Sequence, residues 1–159
     1  MRDKGDKVNT PCSINADGTG LTLHEQFIGG HPEWDEGNIL IGREADRQIL
    51  YDMEKKLIIG QIGTPEMFPK PEGDISLSPN GDWFVNGYAK NNKNYYAVYR
   101  RSDDAFVRSE GIDKGSYSGN IRIDGAPRWN RTNDAIIIPG LAENKTRQMF
   151  ILHVITPEK

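Results

Sequence analysis

The sequence predicts an all-β protein built from repeated antiparallel sheets of four strands. Three observations carry this. First, a pattern recurs with one large apolar residue, a polar turn and a β-rich run: His31 to Ile41, Asp74 to Val85, and Ala126 to Ile138. The anchors Trp34, Leu77 and Trp129 are 43 and 52 residues apart, the spacing of a four-stranded unit with variable loops. Second, each segment is followed by another β-rich run: Arg47 to Tyr51, Asn94 to Tyr99 and Arg147 to Leu152. Third, no segment holds a helical period over 11 residues or more; the best candidate, Glu44 to Lys55, carries Ile49-Leu50-Tyr51 at strand spacing.

The elements follow in order. Val8 to Ile14 and Leu21 to His24 read as strands around the turn Asn15-Ala16-Asp17-Gly18-Thr19-Gly20. Outer strands are expected at Leu57 to Ile62 and Ala105 to Ser109, and a polar loop at Ala89 to Lys93. In Ser78-Pro79-Asn80-Gly81, proline presets one φ and Asn-Gly tolerates positive φ, which makes a hairpin. The count is two strands, then four, four and three. Repeated four-stranded units of this length make a β-propeller. About three and a half blades are present, a partial ring, since a closed ring needs at least four. One partial propeller domain spans 1–159: an outer hairpin of a preceding blade (8–28), two blades (29–64 and 72–112), and a last blade lacking its outer strand (120–156). Such an arc leaves apolar end faces open, so a second copy completing the ring is an expected partner.

Composition narrows the function. Net charge is −3 with acidic and basic residues interspersed, so nothing supports nucleic-acid binding. No apolar run approaches the roughly 20 residues of a membrane helix, and Met1 to Lys7 is not a signal peptide. The chain is therefore cytosolic, or the portion of a periplasmic or secreted parent that follows a leader. Cys12 is the sole cysteine, which rules out an internal disulfide and a cysteine-based metal cage.

The segment His31-Pro32-Glu33-Trp34, the turn Ser78-Pro79-Asn80-Gly81 and the loop Asn15-Ala16-Asp17-Gly18-Thr19-Gly20 resemble the TolB-type (WD40-like) propeller repeat over residues 8–155. In the style of the His31 segment, the chain is similar to oligogalacturonate-lyase-like propellers. The resemblance implies a six- or seven-bladed propeller with a central channel, and in the lyase-like members a divalent metal (Mn or Ca) at its mouth held by histidines and a glutamine, and β-elimination of acidic oligosaccharides. The chain departs from it: it has three histidines and no His-x-His pair.

Inner strands of a propeller start beside the channel, which places His31, Asp74 and Ala126 there. Imidazole and carboxylate suit a metal or proton transfer, so His31 and Asp74 are the candidate metal ligands. His31 and Arg128 are the candidate catalytic residues. Arg122, Asp124 and Tyr117 are the candidate substrate-binding residues, because arginine grips a carboxylate bidentately and an exposed tyrosine stacks on a sugar. Structural readings stand beside these: loop and turn caps for His31 and Asp74, and an inter-blade ion pair to Glu33 or Asp74 for the arginines. Arg47-Gln48 and Arg147-Gln148 repeat from blade to blade and read as structural. Trp34 and Trp129 read as blade-on-blade core. The function expected is a carbohydrate lyase or glycan-degrading enzyme acting at the channel mouth; the alternative is a non-catalytic propeller that binds a protein or glycan.

Overall fold

The structure is a computed structural model; it describes residues 10–155 in full, together with the backbone of two short N-terminal strands. Those strands, β1 (Arg2–Asp3) and β2 (Asp6–Lys7), pair antiparallel. Val8, Asn9 and Thr156, which the sequence reading had included in elements, lie outside the described residues. The hairpin of β3 (Cys12–Ser13) and β4 (Thr22–Leu23) follows, shorter than expected.

Blade I is β5 (Gly29–Trp34), β6 (Ile39–Glu44), β7 (Arg47–Asp52) and β8 (Leu57–Ile62), paired in that order. Blade II is β9 (Ile75–Leu77), β10 (Trp83–Lys90), β11 (Lys93–Arg100) and β12 (Phe106–Arg108). Its outer strand is broken: after Ser109, β13 (Ile112–Asp113) rejoins the edge of β11. Blade III is β14 (Arg128–Trp129), β15 (Ala135–Leu141) and β16 (Arg147–His153). A single 3-10 turn, Gly119–Ile121, precedes it, and the described residues contain no α-helix. The expected four, four and three strands are present, with β13 as an addition.

Turn chemistry sets the registers. The expected loop at Ala89 to Lys93 is instead a two-residue turn: Lys90 pairs with Lys93, and Asn91 and Asn92 have φ of 51° and 59°. Two consecutive positive φ values make a type I′ turn, whose twist matches the flanking strands. In the Ser78 turn only Gly81 has positive φ, 73°. Asn80 acts through its side chain, which accepts from Ser78 Oγ (2.7 Å) and the Asp82 N–H (3.2 Å). At β7–β8, Asp52 Oδ1 caps the turn by accepting from the N–H groups of Glu54 and Lys55.

The core is a series of blade-on-blade seams, because alternate residues of a strand face opposite neighbours. From blade II, Phe84, Ala97 and Tyr99 pack toward Ile41, Ile62 and Phe68. On its other face Val85, Tyr96 and Val98 pack toward Ile136 and Ile138, with Trp83, Trp129 and Phe150 at the margin. A third cluster, Ile28, Ile49 and Tyr51, lies on the far side of blade I. There His24, only 1% exposed, hydrogen-bonds Ser13 Oγ (2.9 Å) and the Tyr51 hydroxyl (3.2 Å) and ties the first hairpin to blade I.

At the inner ends backbone segments come closer than side chains allow, within blade II and between blades II and III. A Cβ on Gly73 would stand 1.9 Å from the Gly87 carbonyl oxygen, and one on Gly87 would stand 2.5 Å from that of Gly125. Both neighbours are backbone and have no rotamer with which to yield. Gly73→Ala is therefore expected to destabilise the chain by roughly 2–4 kcal/mol in urea titrations; an effect within about 0.5 kcal/mol would refute this tight fit. A second expectation concerns His24. Burial, aided by the Lys56 charge, holds its pKa below the usual histidine value. Below about pH 6.5 the unfolded chain then binds the proton that the folded chain resists. Stability should fall as pH drops through that range, and His24→Gln should flatten the profile; an unchanged profile would exclude His24 as its source.

Candidate functional site

Where the three inner strands begin, the glycines leave a cleft of about 190 Å³. Its lining brings together four of the residues singled out from sequence: His31, Asp74, Arg122 and Asp124. His31 and Asp74 meet twice. Their backbones form a parallel bridge between blades, and His31 Nδ1 lies 2.9 Å from Asp74 Oδ1. The His31 side chain is 67% exposed and that of Asp74 21%, so the imidazole faces the opening. Arg122 Nε donates to Asp124 Oδ1 at 2.7 Å and its Nη1 to the Gly119 carbonyl at 3.3 Å.

The other two candidates stand elsewhere. Arg128 does not line this cleft; its Nη1 donates to the carbonyls of Ile75 (3.3 Å) and Pro127 (3.0 Å), so it bridges blades II and III. Its charge also bears on Glu33, whose pKa burial raises against the Leu77 backbone and Arg128. Tyr117 lies outside the cleft, with the Arg147 guanidinium 4.4 Å from its ring centroid.

Three features escaped the sequence reading. Lys114, half-buried on the cleft wall, has no ion-pair or side-chain hydrogen-bond partner among the described residues. Asn94, 1% exposed, also lines the cleft and leaves its Nδ2 without a partner. Beside it lie Asn86 and the Tyr96 hydroxyl, both fully buried and neither with a well-formed hydrogen bond, although the Asn94 side chain approaches the Tyr96 hydroxyl. Burial is the main cause that drives the Tyr96 pKa up; the Asn94 side chain opposes it, and the Asp74 charge adds to it. Asparagines inside a β-rich aromatic run were the available signal, because strands are depleted in asparagine. Buried polar groups without partners are rare enough to demand a reason. The third feature is a wider cleft, about 1110 Å³, at the opposite end of blades I and II. Trp34 lines it at 57% exposure, so Trp34 is not the core residue expected. Trp129 is half-buried as expected, and its Nε1 donates to the Ser76 carbonyl at 3.2 Å.

The donors present do not fit the metal implied by the lyase resemblance. His31 and Asp74 already bond each other, and among the described residues no group of three His, Cys, Asp or Glu side chains gathers as ligands. Two donors do not make a cation cage, and no step is routed through one.

No protein-family model and no curated protein matches the chain. Among solved structures it is similar to TolB from Acinetobacter baumannii, with a TM-score of 0.55 and 18% identity over 91% of this chain and 35% of that one. A protein from Lactobacillus plantarum is matched at a TM-score of 0.46 and 14% identity, over 91% of this chain and 50% of that one. The chain thus has a TolB-like β-propeller fold and spans about a third of the TolB structure.

Tyr96→Phe tests the buried polar cluster. Removing an unpartnered hydroxyl should leave stability unchanged or raise it by up to about 1 kcal/mol. A loss larger than that would show that the hydroxyl is hydrogen-bonded, with ordered water as the partner.

Proposed function

We propose that this chain is the ligand-binding part of a propeller, and that the cleft at its inner-strand starts binds a carboxylate-bearing ligand, an acidic oligosaccharide, without turnover. The unpaired Lys114 ammonium beside the unpartnered, buried Asn94 amide carries this reading. A carboxylate accepts from both and so satisfies a donor that is otherwise desolvated without return. The outward-facing His31 imidazole and the Arg122 guanidinium stand on the same walls and add donors for sugar hydroxyls.

A second reading rests on the His31–Asp74 contact. A carboxylate that orients an imidazole is the arrangement of a general base, and removal of the proton next to a uronate carboxylate begins β-elimination. In that reading His31 takes the proton and the leaving oxygen departs with the bond electrons, giving an unsaturated sugar.

Calorimetric titration with short galacturonate oligomers distinguishes the readings. Binding that weakens by about tenfold in Lys114→Gln, roughly 1.4 kcal/mol, with no ultraviolet absorbance from an unsaturated product, supports the binding module. Product absorbance that disappears in His31→Ala supports the lyase. Absence of binding together with absence of product overturns both.

A further inference from the structure

The cleft at the inner-strand starts is small. Its volume of about 190 Å³ falls below the roughly 300–1,000 Å³ of ordinary ligand pockets. It therefore encloses one end of an oligosaccharide, and the rest of that ligand lies along one of its flanks. The flanks differ in the charge they leave free. On one, His31 and Asp74 bond each other; on another, Arg122 and Asp124 do. The third flank is the tip of the β10–β11 hairpin, and it is basic. Lys70, Lys90 and Lys93 are exposed there, and the half-buried Lys114 joins them through its N–H, which donates to the Asn92 carbonyl at 3.0 Å.

Lys70 reaches this tip from the segment between blades I and II. Its Nζ donates to the Ala89 carbonyl at 3.2 Å, and Ala89 lines the cleft. Ala89 pairs in register with Asn94, so the ammonium meets the same rung of the sheet from which Asn94 faces the cleft. One carbonyl occupies one of three ammonium donors, and Lys70 has no ion-pair partner among the described residues. The backbone that carries it is fixed. Pro69 and Pro71 flank it and restrict φ on both sides. Phe68 is anchored in the core, and the Pro71 carbonyl accepts from the buried Gln48 Nε2 at 2.8 Å. Like charges gather beside it: Lys90 and Lys93 are direct cross-strand partners, an arrangement that costs stability. Nearby acids do not cancel the charge. Asp113 is already bonded to Lys145 at 3.0 Å, and Glu72 forms no ion pair among the described residues. An anion laid over the tip offsets the repulsion.

We propose that Lys70 forms a second anion subsite on the rim of the cleft. The subsite rests on the cleft being a carboxylate site. An oligo-uronate with one carboxylate at Lys114 and Asn94 leaves the cleft past Ala89, and its next carboxylate accepts from Lys70 Nζ. Lys90 adds to the positive potential on that path. The ligand selected is thus a polyanion with at least two carboxylates.

The test titrates the full chain calorimetrically with trigalacturonate and with the same trimer carrying a free carboxylate on one terminal sugar only, the others being methyl-esterified. The parent is expected to bind the fully charged trimer about fivefold tighter, the upper range for an exposed ion pair. Lys70→Gln should abolish that preference and leave the esterified trimer's affinity unchanged. Lys70 is exposed, so the variant should keep the parent's circular dichroism. The subsite is refuted if the parent binds both trimers equally, or if Lys70→Gln still prefers the charged one. Lys114→Gln separates this failure from that of the cleft. If it weakens both trimers while Lys70→Gln changes nothing, the cleft stands and the subsite falls. If neither trimer binds the parent, or Lys114→Gln weakens neither, the cleft reading fails and the subsite with it.

Discussion

Blades II and III meet at their inner ends on backbone with no room for a β-carbon, and the small cleft is built around that contact. Gly87 and Gly125 allow the approach of the two blades, while Gly73 packs on Gly87 inside blade II, where the Gly87 N–H donates to the Asp74 carbonyl at 2.7 Å. Once the inner ends are fixed, the sheets fan outward and their faces meet as apolar seams. A separate bridge sets His31 against Asp74 across blades I and II, and the small cleft opens between that bridge and the glycines.

Along the seams polar contacts act as position markers more than as sources of stability. Arg101 forms a two-pronged pair with Asp35 at 3.0 Å, linking blade II to blade I, and the Asn80 N–H donates to Asn133 Oδ1, linking blade II to blade III. In a part-buried pair such as Arg101–Asp35, desolvation offsets much of the Coulomb gain, so the net energy is small. Burial of Phe84, Tyr96, Ile136 and their neighbours supplies the drive. The pairs fix how far one sheet slides over the next, which a smooth apolar surface leaves free.

Most of the fold was legible because propeller blades write their period into the sequence. Leu57–Ile62 was read to the residue, since Ile58, Ile59 and Ile62 gather there between turn signals. The type I′ turn at Asn91-Asn92 was missed because paired asparagines also compose ordinary loops. The break after β12 depends on Ser109, whose Oγ accepts from the Tyr96 N–H and so takes over a rung of the ladder, an exchange no pattern of apolar residues records. For the site, aligning repeats placed His31 beside Asp74 because equivalent strand starts share an axis. Tyr117, chosen from its loop, and Arg128, chosen from the third inner strand, do not line the cleft, because neither choice specified where the side chain turns. Lys114 and Asn94 come from the outer half of blade II, and only the three-dimensional curl of the sheet brings them to the inner end.

Each seam joins only consecutive sheets, so the chain behaves as a short one-dimensional stack. Among the described residues blade II has a neighbour on both faces and blade III on one. Blade III can detach by giving up a single seam, whereas opening blade II breaks two. Within the described residues local stability therefore falls from blade II to blade III. Protease resistance would follow the same order, with blade III cut before the central sheet.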